Sequence, residues 1–130
     1  MLHKILRILL IILDGFLALT AFAGGIGLLT GVARPSVELL RGSPFTDYTI
    51  PALALFVIVG GSALGAAILL VRRHPSAALV SMAVGGAIIV FEIVEVLVIG
   101  SDPGLARNLQ VFYSGLGLVI LLLAVAMWAA

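Results

Sequence analysis

Long apolar stretches alternate with short polar breaks along this chain, and the charged residues mark the boundaries. Between Arg7 and Arg34 the sole charge is Asp14, and between Asp47 and Arg72 there is none. From His74 to Ser101 only Glu92 and Glu95 are charged, and beyond Arg107 the chain runs to Ala130 without another. Each stretch exceeds the roughly 20 residues that a helix needs to cross about 30 Å of hydrocarbon at about 1.5 Å per residue. Strands of a membrane barrel would alternate apolar and polar residues in segments of about ten. The runs from Ile50 to Val71 and from Leu116 to Ala130 do not alternate. Because only a helix satisfies its own backbone in lipid, the pattern predicts an all-α transmembrane four-helix bundle.

The punctuation predicts helices near 5–30, 51–72, 75–100 and 103–129, joined by short loops and one longer outer loop over 32–49. Together they form a single four-span domain over 1–130. Thr49 before Pro51, His74 before Pro75, and Asp102 before Pro103 suit helix starts. Gly31 and Gly100 lie where C-terminal glycines belong. Lys4 and Arg7, an apolar run and Ala21-Phe22-Ala23 also resemble a signal peptide. Asp14 interrupts that apolar run, so the first helix is expected to be retained.

Composition agrees. Of 130 residues, 63% are hydrophobic and 10% charged, against about 25% charged in an average soluble domain, and mean hydropathy is +1.35. Net charge is only +1, which leaves no broad basic surface for nucleic acid. Cysteine is absent, which excludes disulfides, thiolate metal sites and cysteine nucleophiles. Lys4, Arg7, Arg72 and Arg73 fall at one surface beside His3 and His74. The other surface sets Arg34, Arg41 and Arg107 against Glu38, Asp47 and Asp102. The positive-inside rule then predicts that both termini are cytoplasmic. Within the outer loop, Ser36 to Arg41 reads as a short interfacial helix. Pro44, Phe45 and Tyr48 are expected at headgroup depth, so that the loop is a lid over the outer end of the bundle or a surface for a partner.

Glycine pairs recur at Gly24-Gly25, Gly60-Gly61 and Gly85-Gly86, with Gly115 and Gly117 in the last span. Gly61 and Gly65 make a small-xxx-small pair, and Ala77, Ser81 and Gly85 continue such a row. In lipid, close backbone approach supplies packing energy, so these residues point to packing within one bundle or to a homo-oligomer interface.

Three carboxylates lie inside the spans. A charge at the bilayer centre costs roughly 2.5–3.5 kcal/mol on insertion scales, so each is expected to face protein or water and to have a partner. Glu92 and Glu95 share a helix face; their depths from the outer end are about 12 and 8 Å. On the neighbouring helix Arg107, Gln110 and Tyr113 recur at about 6, 10 and 15 Å. The stripes match, which predicts a polar seam of Glu92, Glu95, Arg107, Gln110 and Tyr113. The seam is either a structural clasp or a polar pocket open to the outer face. In the second case two close carboxyls in a low dielectric would not both ionise, which suits proton or cation handling. Asp14, about 13 Å from the inner end, is a possible coupling site or a polar contact to Arg72, Arg73 or Ser81. Small multidrug-resistance transporters share such a lone acid in their first helix, although their surrounding motif is not found here.

His3 and His74 read as interfacial residues rather than haem or metal ligands. Glu92-x-x-Glu95 lacks the histidine of the di-iron pattern, and no Walker loop, nucleophile elbow, dinucleotide fingerprint or zinc motif occurs. No cofactor, no metal and no enzymatic activity are expected. The segment Gly42-Ser43-Pro44-Phe45-Thr46-Asp47-Tyr48-Thr49-Ile50-Pro51 resembles a recurrent SPFxDYxIP-type segment of a family of small bacterial four-helix integral membrane proteins. The resemblance continues through Gly60-Gly61-Ser62, Arg72-Arg73-His74-Pro75, Glu95 to Gly100 and Gln110 to Gly117. It implies the same architecture and a bacterial inner-membrane location, and no biochemical function comes with it. The expected partners are the lipid bilayer and another copy or membrane-protein partner. An accessory subunit that stabilises a membrane complex or homo-oligomer is the leading expectation. A proton- or cation-coupled small-solute transporter or channel is the alternative.

Overall fold

The computed structural model describes residues 1–31 and 35–130. Arg34, expected among the outer-loop cations, lies outside the described residues. Four helices follow in order: α1 Leu2–Thr30, α2 Thr49–Val71, α3 Ala77–Ile99 and α4 Leu105–Ala129. Each is long and apolar enough to cross a membrane, so the chain is an all-helical, multi-pass bundle. α1 packs on α2, α2 on α3, α3 on α4 and α4 back on α1. The α1–α2 and α3–α4 pairs are the most extensive, and α1 and α3 approach each other across the diagonal. Met1 and Ala130 line one cavity, which places both termini at the same end of the bundle.

Apolar side chains do not drive helices together in lipid, so the close approaches occur where side chains are missing. A Cβ on Gly85 would sit 2.7 Å from the Gly117 carbonyl oxygen and 2.9 Å from the Leu121 amide nitrogen. On Gly117 it would meet Ile88 Cγ2 at 2.5 Å. α3 and α4 therefore touch backbone to backbone. Gly25 does the same for α1 and α2, with Phe56 Cβ at 2.8 Å and the Ala52 oxygen at 3.1 Å from its absent Cβ. Leu10, Leu17, Val59, Leu70, Val84, Ile88 and Ile120 fill the interior.

Helix ends follow local chemistry. Gly31 (φ 81°) and Gly100 (φ 77°) close α1 and α3 in conformations that disfavour a Cβ. At the start of α2 the Asp47 side chain, rather than Thr49, accepts a bond from the Thr49 amide at 2.9 Å. α3 and α4 begin two residues beyond Pro75 and Pro103, at Ala77 and Leu105. The loop between α1 and α2 holds a 3₁₀ turn, Val37–Leu40, capped by Ser36. α2 contains a π-helical segment, Ala54–Gly60. Its wider turn changes which residues face the bundle below it.

Candidate functional site

Two polar clusters lie inside the bundle. The first lies where α3 ends and α4 begins, at the end of the bundle away from the termini. Gln110 Nε2, buried, donates to Glu95 Oε2 and to the Gly100 carbonyl, both at 3.0 Å. One amide thus ties α4 to a side chain of α3 and to the last carbonyl beyond it. Glu92 lies one turn deeper and is 6% exposed, with its carboxyl beside that of Glu95. Glu92 Oε2 and Gln110 Oε1 are buried without a hydrogen-bond partner among the described residues. Both are acceptors, so neither satisfies the other without an added hydrogen.

The other two residues of the expected seam stand apart from it. Arg107 is exposed in the first turn of α4, where its Nη2 and Nε donate to the Ser101 carbonyl at 2.6 and 3.1 Å. It fastens the α3–α4 turn and makes no ion pair with Glu95 among the described residues. A guanidinium next to the loop satisfies its donors on a carbonyl there without entering lipid. Tyr113 is half-buried and stacks edge-on to Phe112, centroids 5.1 Å apart at 87°. Its hydroxyl bonds to neither carboxylate among the described residues. The direction in which each residue points depends on helix rotation, which a count of depth along the helix does not contain.

Tyr48, in the loop before α2, is 4% exposed, and its hydroxyl donates to the Ser36 carbonyl at 2.9 Å. Burial raises its hydroxyl above the ordinary tyrosine range, and the nearby charge of Glu95 adds to the shift. The loop between α1 and α2 therefore folds down beside the Glu95 cluster.

The second cluster crosses the diagonal of the bundle. Ser81 Oγ on α3 donates to Asp14 Oδ2 on α1, and both residues are fully buried. Of the candidate partners for Asp14, Ser81 is the one that reaches it. Asp14 Oδ1 has no hydrogen-bond partner among the described residues. At the end of the bundle that carries the termini, His3 and His74 line a common cavity with Lys4, Arg7 and Arg73. No group of three or more metal-ligating side chains occurs among the described residues.

The glycines divide into two sets. Gly25, Gly60, Gly85 and Gly117 meet neighbouring helices, whereas Gly61, Gly65, Gly86 and Gly115 have nothing within 4 Å of an added Cβ. Gly61 and Gly65, one turn apart, face outward on α2, with Ile68 completing the same stripe. Comparison with protein-family models, curated proteins and solved structures finds no match to this chain.

Proposed function

We propose that this protein is a small, non-enzymatic membrane interaction subunit that docks through the outward face of α2 onto another copy or onto a larger membrane complex. The observation that carries this reading is the Gly61–Gly65 stripe, which the bundle itself leaves uncovered. A lipid-facing helix gains nothing from missing side chains, and glycine costs about 0.5–1 kcal/mol relative to alanine in a helix interior. A small-xxx-small stripe gains its value when a second helix closes on it. Ala67, Ile68 and Val71 extend the face along a shallow groove of about 200 Å³. The location that suits such a subunit is a bacterial inner membrane with both termini on the cytoplasmic side, consistent with Lys4, Arg7, Arg72 and Arg73 at that end.

Sedimentation in mild detergent, with native mass spectrometry of membrane extracts, tests the docking. The wild type should associate with itself or retain a defined partner, and Gly65→Leu should abolish either state without unfolding the bundle. A monomer without partners at every protein-to-detergent ratio, or unchanged association in Gly65→Leu, removes the reading.

A second reading, proton- or cation-coupled transport, draws on the unpartnered oxygens of Glu92 and Asp14, since polar atoms buried at membrane depth mark ion pathways in other proteins. Proteoliposomes should then show flux that Glu92→Gln and Glu95→Gln reduce. Flux equal to that of empty vesicles removes it.

A further inference from the structure

The end of the bundle that carries both termini holds an open cavity of about 490 Å³, within the roughly 300–1,000 Å³ of small-ligand sites. His3, Lys4, Arg7, Arg73 and His74 line it, and no Asp or Glu side chain does. Leu70 and Met127, both buried, form apolar wall, and Trp128 stands at the rim, 64% exposed. Arg7 is half-buried, and neither it, Lys4 nor Arg73 is paired with a carboxylate among the described residues. Lys4 and Arg73 are exposed, whereas the half-buried guanidinium of Arg7 calls for a counter-charge.

Arg73 adds a second, independent observation. The His74 amide bonds to the Leu69 carbonyl at 2.9 Å and the Arg73 amide to that of Leu70 at 3.2 Å. This is the pattern of a Schellman helix end, in which the residue at the Arg73 position is usually glycine. Arg73 holds φ 56° there, the one non-glycine residue with positive φ among those described. A non-glycine residue held in this conformation costs about 1–3 kcal/mol, and such residues cluster at ligand clamps.

We propose that this cavity binds the phosphodiester headgroup of an anionic membrane lipid, with Lys4, Arg7 and Arg73 around the phosphate and an acyl chain running along Leu70, Met127 and Trp128. A guanidinium presents paired donors that match phosphate oxygens, and basic pockets between helix ends are a known means of holding anionic headgroups. The apolar wall and interfacial tryptophan favour a lipid over free phosphate, because a soluble anion gains nothing from them. This inference does not depend on the α2 docking face.

Native mass spectrometry of the full chain from nanodiscs of equal phosphatidylglycerol and phosphatidylcholine tests it. The wild type should retain phosphatidylglycerol preferentially. Removing one cation, as in Arg73→Gly, should lower retention about fivefold. Glycine also relieves the backbone at this position, so that variant should unfold at the same or a higher temperature, and Arg73→Lys should keep most of the binding. Arg72→Gln, at the same end but outside the cavity, should leave retention unchanged. Any of three results overturns the proposal: no preference for the anionic lipid, an equal loss in Arg72→Gln, or displacement of the lipid by millimolar inorganic phosphate, which would make the site one for a free anion.

Discussion

Substituting alanine at two glycines should have opposite effects on the isolated bundle. In Gly85→Ala the new Cβ would lie 2.7, 2.9 and 3.1 Å from three backbone atoms of α4. Backbone cannot rotate aside as a side chain does, so α3 and α4 must part until the shortest of these contacts reaches the 3.4 Å of ordinary van der Waals approach. Overpacking of this kind costs about 1–3 kcal/mol. Separation along α3 and α4 would also stretch the 3.0 Å bond between Gln110 and Glu95. In Gly65→Ala the added methyl meets nothing within 4 Å, and the gain in helix propensity stabilises the monomer by about 0.4–1 kcal/mol. Reversible unfolding in mild detergent, followed by helical circular dichroism at concentrations low enough to keep the chain monomeric, measures both. Equal destabilisation by the two substitutions would refute the assignment of Gly85 to a backbone contact and of Gly65 to an open face.

Other outcomes follow from the polar contacts. Ser81→Ala removes the hydrogen bond that Asp14 receives and should cost about 1–3 kcal/mol, whereas the double variant Asp14→Asn, Ser81→Ala should recover part of that loss in the same unfolding assay. Gln110→Ala strips donors from both Glu95 and the Gly100 carbonyl and should destabilise by a similar 1–3 kcal/mol; Arg107→Ala, exposed and bonded to a loop carbonyl, should cost less than about 1 kcal/mol. Tyr48 titrates higher when folded than unfolded, so the unfolded chain ionises first and stability should fall as pH rises beyond about 10. Comparing the thermal midpoint at pH 9 and 11 should show a smaller alkaline loss in Tyr48→Phe than in the wild type.

Hydrophobic patterning was enough to establish four helices long and apolar enough to cross a membrane, because length, apolarity and backbone satisfaction in lipid leave few alternatives. Gly31 and Gly100 were legible as helix ends for an equally local reason: their conformations exclude most side chains. The matched heights of Glu95 and Gln110 also followed from a constant rise per residue. Tertiary structure decided the rest. Helix rotation brought Gln110 to Glu95 and turned Arg107 toward Ser101. Gly60, the last residue of the π segment in α2, meets Phe22, while Gly61 beside it faces outward. Likewise the cations at the two chain ends and at the α2–α3 turn became one cavity only when the bundle closed. Periodicity determines which residues share a face, but the neighbour that the face meets depends on how four helices pack at once.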